Sequence, residues 1–223
     1  MKFGLACEGS TDQIVLRDIL CGYFNNPDLD DEIIELQPRL DKTEQKLQDF
    51  GGWEKLLDYL KDSRFAEDVL SNEYIVLQID TDISERCNFN VSQSEINKLL
   101  TIENFINIII GKLILTINEN NQGFYEAYSN KLIFAICVHS LECWLYAFHS
   151  TRKLSKPKIT GCGSALEFDL KVKGFVKTKK QDKDKELYKK YSKDFLIKKN
   201  IEIAVEKDPS FKHFIQQLQP ISL

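Results

Sequence analysis

The stretch Tyr74-Ile75-Val76-Leu77-Gln78-Ile79 constrains the fold more than any other part of the chain. It is nearly all apolar and rich in β-formers, without the alternation of a strand that shows one face to water. A strand of this kind is covered on both faces, as in the middle of a parallel sheet. Parallel strands need long crossover connections, usually helices, so the remaining chain must alternate between the two.

It does so. Lys2 to Cys7 reads as a first buried strand, broken at Glu8-Gly9. Ser10, Thr11 and Asp12, all helix-capping types, open a helix with Leu16, Ile19, Leu20 and Tyr23 inward that ends near Asn25-Asn26-Pro27. Ile33 to Leu36 is predicted as a second strand, and Gly51-Gly52-Trp53 opens a helix that buries Leu56, Leu57 and Leu60. After the third strand comes a helical region from Ser94 to Asn118, a strand from Leu132 to Val138, and a helix opened by Ser140 with Leu141, Trp144, Leu145 and Phe148 inward. A final helix capped by Ser210 carries Phe211, Phe214, Ile215 and Leu218 on its inner side. The expected fold class is α/β, a parallel sheet with helices on both faces and a Lys-rich helical C-terminal extension. Residues 1–150 form the expected catalytic domain, and 151–223 a basic extension packed on the same core.

Composition excludes several classes. With 223 residues, 43% hydrophobic, the chain can bury a full core. Phe3 to Cys7 is too short for the apolar region of a signal peptide and meets Glu8 at once. The apolar run Ile102–Ile117 holds Glu103, Asn104, Asn107 and Lys112 and falls short of a membrane span, so a buried helix is expected there, with no membrane partner. Six cysteines at 7, 21, 87, 137, 143 and 162 lack CxxC pairing and lie in apolar segments, which reads as reduced core thiols in a cytoplasmic protein. Cys137, His139 and Cys143 match no common zinc spacing.

The net charge of −4 hides an asymmetry. Residues 152–199 hold 15 Lys and one Arg against six acids, a net +10, so the remainder is −14. Such a block is either a solvated face or a surface that holds a polyanion beside repelling carboxylates.

Ligands of open parallel sheets gather beyond the carboxyl ends of the strands. Glu8 ends the first strand there, and Asp80 and Asp82 end the third. If the extended conformation persists past Ile79, both aspartates project from the same face. Carboxylates so clustered repel unless a cation neutralises them, and an all-oxygen site favours Mg²⁺ or Mn²⁺.

Cys7-Glu8-Gly9-Ser10-Thr11-Asp12 and Leu77-Gln78-Ile79-Asp80-Thr81-Asp82, in this order, resemble the Toprim domain of topoisomerases, primases and overcoming-lysogenization-defect nucleases. His139-Ser140-Leu141-Glu142-Cys143-Trp144-Leu145 is similar to a helix start in small stand-alone Toprim proteins, and Tyr188-Lys189-Lys190-Tyr191-Ser192-Lys193, with Pro209-Ser210-Phe211 and Phe214, to their tail. The likeness covers most of the chain through short motifs whose order and spacing carry the specificity. It implies a Toprim-like sheet and a metal-dependent nuclease acting on DNA or RNA, as the effector of an anti-phage system with an ATPase partner. In that likeness Glu8, Asp80 and Asp82 hold the first ion. Asp12, an Asp where the family has a Glu, and Glu142 are either ligands of a second ion or first-turn acids favoured by the helix dipole. Lys193 or Lys190 would offset phosphate charge, and His139 is a base or a packed histidine.

Other readings stay open. A haloacid-dehalogenase-like phosphatase also uses DxD, but on its first strand, and would leave Glu8 unexplained. A non-catalytic Toprim regulatory subunit is a further alternative. A receiver-like domain lacks its phosphoacceptor pattern, and no Tyr is placed for topoisomerase chemistry. No Walker A sequence occurs in the chain, so ATP dependence would come from a partner. Homo-oligomerisation is left open.

Overall fold

The computed structural model describes residues 1–39, 52–85, 91–92, 100–152, 156–172 and 185–222. Four strands, β1 (Phe3–Ala6), β2 (Ile33–Gln37), β3 (Tyr74–Asp80) and β4 (Leu132–Cys137), form one all-parallel sheet in the order β2-β1-β3-β4. The apolar run at 74–79 is central, as its two-sided hydrophobicity requires, with β1 on one side and β4 on the other.

Period-two alternation splits the core. Val76, Ile133, Ala135 and Cys137 face one layer with Phe3 and Leu5, whereas Ile75, Leu77, Ile79, Phe134 and Ile136 face the other. The first layer is built from α1 (Ser10–Tyr23), α6 (Glu142–His149), α7 (Cys162–Val172), α8 (Lys185–Ser192), α9 (Lys198–Lys207) and α10 (Pro209–Leu218). The second contains α2 (Trp53–Lys61), α3 (Ser63–Ser71), α4 (Ile102–Asn118) and α5 (Phe124–Tyr128). This is the expected α/β class.

The helix boundaries correct several expectations. Ser140 does not cap α6, whose N-cap is Leu141 with no side-chain hydrogen bond. Ser210 is not the cap of α10 either. Asp208 accepts from the N–H groups of Ser210 and Phe211, and Pro209 takes the first helical position, where its missing N–H costs nothing. The Ser210 hydroxyl instead donates to Asp208 and accepts from the Trp144 indole at 2.8 Å, fixing α10 to α6. Helix α4 is capped by Thr101 and is buried on one face only, through Phe105, Ile106, Ile109, Leu113 and Ile117, while Leu115 is exposed. The expected helix start at Ser94, and also Gly51 and Cys87, lie outside the described residues. Among the described residues no helix is long and apolar enough to cross a membrane.

The cysteine expectation also changes. Cys143 and Cys162 are joined by a disulfide, so these two are not reduced thiols, and cysteine usage no longer argues for a reducing compartment. The pairing is non-local, because packing of α6 on α7 brings together two residues that no spacing rule connects. Cys7, Cys21 and Cys137 are buried free thiols.

β4 is an edge strand, and its backbone is covered by one side chain. The Gln217 amide of α10 accepts from Phe134 N–H at 2.9 Å and donates to Phe134 C=O at 2.8 Å, imitating a neighbouring strand. On the same layer Tyr188, Tyr191, Phe195, Ile201, Phe211 and Phe214 join Phe3, Leu5 and Leu16 in one cluster. The tightest approach is at Gly22, where α1 meets the 3₁₀ turn Lys193–Leu196. A Cβ there would stand 1.8 Å from the Phe195 carbonyl oxygen. Gly22→Ala is therefore expected to cost about 1–3 kcal/mol or more in chemical denaturation, as overpacking against backbone does. An unchanged midpoint would contradict this docking.

Candidate functional site

Register brings the acids to one edge. Ala6 stands beside Leu77 and Asp80 beside Cys137, so the chain leaving β1 arrives level with the ends of β3 and β4. Glu8 and Asp80, 72 positions apart, meet directly: Asp80 N–H donates to Glu8 Oε2 at 3.4 Å.

Gln78 organises the pair. It is fully buried and lies on the same strand face as Asp80, two residues on. Its Oε1 accepts from Glu8 N–H at 3.1 Å, and its Nε2 donates to Asp80 Oδ1 at 2.9 Å. One amide thus fixes the exit of β1 and the carboxylate at the end of β3. Sequence reasoning gave Gln78 no role, although a lone amide in an apolar strand was the available signal. Asp80 Oδ1 also accepts from Leu141 N–H at 3.0 Å, tying the start of α6 to the sheet.

Two further acids come from helix starts. Asp12, in the first turn of α1, is 1% exposed, and a Cβ on Gly9 would stand 2.9 Å from its Oδ2. The glycine is what lets the chain pass so close to a carboxylate. Glu142 opens α6 and accepts a short hydrogen bond from the Tyr188 hydroxyl of α8. Burial first, then Glu142, and then Asp12 and Asp80 push the Tyr188 phenol far above its usual range, so it stays a protonated donor. Tyr188 therefore meets Glu142 directly, a placement the tail motif alone did not reveal. Beneath them the thiols of Cys7 and Cys137 are also held protonated, by burial and then by Asp12 and Asp80 respectively.

Asp82 follows in a turn beyond the strand. The condition of a continuing strand is not met, because β3 ends at Asp80 and the chain turns, with Ser84 N–H donating to Thr81 C=O at 3.0 Å. Asp80 is 5% exposed and buried, whereas Asp82 is exposed. The turn is pinned to the loop after β4. Thr81 N–H donates to Cys137 C=O, Asp82 N–H donates to His139 C=O, and His139 N–H donates to Thr81 Oγ1 at 2.7 Å. His139 takes φ 70° in that loop, a left-handed conformation uncommon for a side-chain-bearing residue. Its position is thus set by the backbone of the site.

Lys193 is exposed and follows Ser192, whose hydroxyl donates to Asp18 of α1; burial raises the Asp18 carboxyl, and that hydrogen bond, then Arg17 and Lys193, draw it partly back. Asp18 is six residues beyond Asp12, roughly 9 Å along the helix axis. Lys190 is exposed on α8, as are Lys185 and Lys189, and Lys189 pairs with Glu186. Much of the rest of the basic block lies outside the described residues.

Carboxylate oxygens from Glu8, Asp12, Asp80 and Glu142 form a hard donor set suited to Mg²⁺ or Mn²⁺. Among the described residues no three His, Cys, Asp or Glu side chains converge to hold a metal ion as they stand. The donor chemistry fits, while Glu8 is turned to the Asp80 backbone and Glu142 to Tyr188. No protein-family model matches the chain, and searches of curated proteins and of solved structures return no match.

Replacing Gln78 with Leu strips Glu8 N–H and Asp80 Oδ1 of a buried partner. Metal-free stability should fall by about 1–3 kcal/mol, read by urea denaturation. A loss below a few tenths of a kcal/mol would show that the amide does not organise the pair.

Proposed function

We propose that this chain is a Toprim-type nuclease, dependent on Mg²⁺ or Mn²⁺, that hydrolyses phosphodiesters of DNA or RNA. The observation that carries the reading is the meeting of Glu8 with Asp80 at the carboxyl edge of an all-parallel sheet. Two motifs far apart in sequence end on one hydrogen-bonded pair, as the Toprim likeness requires of its first and third strands.

Glu8 and Asp80 would hold the first ion, and Asp12 in the first turn of α1 and Glu142 in the first turn of α6, whose start is tied to Asp80 through Leu141 N–H, would serve a second. Asp82, exposed in the turn, is the least buried member of the expected triad. A divalent ion bound there supplies Lewis-acid activation of water and charge stabilisation at the leaving oxygen. The chain's own part is to orient the donors. Gln78 and Leu141 N–H hold the Asp80 carboxylate in one rotamer, and Gly9 admits Asp12 beside the first turn. The Tyr188 hydroxyl holds Glu142 and, being protonated, adds no charge to the cluster.

Substrate approach is an electrostatic matter. A cluster of carboxylates repels phosphate, and Lys185, Lys189 and Lys190 on α8, the helix that carries Tyr188, supply opposing charge. Lys193 follows on the adjoining turn. The Toprim likeness implies that such an activity serves an anti-phage system, where any ATP dependence would come from an ATPase partner, since the chain carries no Walker A sequence.

The test is cleavage of plasmid, single-stranded DNA and total RNA with Mg²⁺ or Mn²⁺. Wild type should cut at least one of them, and Asp80→Asn, which keeps an acceptor for Gln78 and Leu141 N–H, should lower the rate by about 100-fold or more. Lys193→Ala should have a smaller effect. Cutting that persists in EDTA or in Asp80→Asn would contradict the proposal, as would an intact substrate in every condition.

A further inference from the structure

A bowl of about 470 Å³ opens between α6, residues 150–152 and 156–158, and the end of α9, within the size range of small-molecule sites. It begins one residue beyond Glu142, at Cys143, but faces its own set of side chains. Tyr146, Ala147 and the disulfide-bonded Cys143 give it an apolar floor. Among the described residues it is lined by four cations, Arg152, Lys156, Lys158 and Lys207, and two acids, Glu206 and Asp208.

Of the two acids, Asp208 does little to cancel that charge. Asp208 is spent on capping α10, where it accepts from two backbone N–H groups and the Ser210 hydroxyl, and burial raises its carboxyl pKa. The cations are positioned rather than splayed. Lys207 Nζ donates to Ser150 C=O at 2.9 Å, Arg152 pairs with Asp169 at 3.2 Å and lies over the Phe168 ring, and Lys158 Nζ stands 6.0 Å from the centre of the Tyr146 ring. Lys156 is exposed.

We infer that this bowl binds a nucleoside monophosphate, with the phosphate among Lys156, Lys158 and Arg152 and the base against the floor formed by Tyr146, Ala147 and Cys143. Arg152 is partnered by Asp169 and Lys207 by the Ser150 carbonyl, so the match rests on Lys156 and Lys158: two ammonium groups suit a phosphomonoester, which carries about −1.5 to −2 at neutral pH, better than the single charge of an internal phosphodiester. The apolar floor asks for a flat, weakly polar body, which a sugar phosphate lacks. The same chemistry is offered by a free mononucleotide and by the 5′-phosphorylated end of a strand. The inference stands on the bowl alone and does not require that the acidic edge cut nucleic acid.

Calorimetric titration of the full chain with AMP, adenosine, ribose 5-phosphate and inorganic phosphate tests it. AMP should bind, with the other three each at least about tenfold weaker, equivalent to about 1.4 kcal/mol. Lys156→Glu, an exposed change that leaves the melting temperature in place, should weaken AMP by about tenfold or more, and the double variant with Lys158→Glu should abolish binding. Asp80→Asn should bind AMP as wild type does. A 5′-phosphorylated octanucleotide that binds more tightly than AMP would identify the strand end as the natural source, and one that binds no better would identify the free nucleotide. The inference is overturned if AMP does not bind, if it binds no better than inorganic phosphate, if Lys156→Glu leaves it unchanged, or if Asp80→Asn removes it.

Discussion

Parallel pairing of β1, β3 and β4 is the constraint on which the rest of this molecule depends. Because all the strands run the same way, their carboxyl ends form one edge, and whatever follows each strand meets there. Glu8 leaves β1, Asp80 ends β3 and the His139 loop leaves β4, so three distant segments share a single hydrogen-bonded surface. A one-residue slip of β3 would turn Val76, Gln78 and Asp80 to the opposite layer and bury Ile75, Leu77 and Ile79 against the wrong helices. The apolar pattern that fixes the core therefore also fixes the face on which the acids appear.

The second constraint is polar and local. Carboxylates gathered in a buried place are costly unless each oxygen finds a donor. Here the donors are chiefly one side-chain amide, Gln78, and the backbone N–H groups of Asp80 and Leu141. The Tyr188 hydroxyl serves Glu142. These donors sit on β3, at the start of α6 and on α8, and Glu8 follows β1, so the acidic edge also joins β1, β3, α6 and α8.

Much of this was legible in the sequence, for reasons that can be named. Tyr74 to Ile79 is apolar on both faces, and only a central strand can use such a stretch. Glu8 and Asp80 stand where strand patterns stop, which is where parallel sheets present ligands. A shared face for Asp80 and Asp82 was conditional on the strand continuing, whereas Thr81 engages Cys137 and His139 and the chain turns. The cap of α10 was misassigned to Ser210 although Asp208-Pro209 carried the better signal, an acceptor followed by Pro at the first helical position. The Cys143–Cys162 bond and the place of Tyr188 beside Glu142 are products of tertiary packing, and no local pattern encodes them.

The central claim is that Glu8 and Asp80 form the core of a divalent-cation site, and cation-dependent thermal stability measures it most directly. A ligand that binds only the folded state raises its melting temperature, and the rise grows with the logarithm of ligand concentration once that exceeds Kd. Titration with Mn²⁺ should raise the midpoint of the wild-type protein, and the increase should vanish in Glu8→Gln, which keeps the shape of the side chain and removes its charge. An equal increase in both proteins, or none in the wild type, would contradict the account.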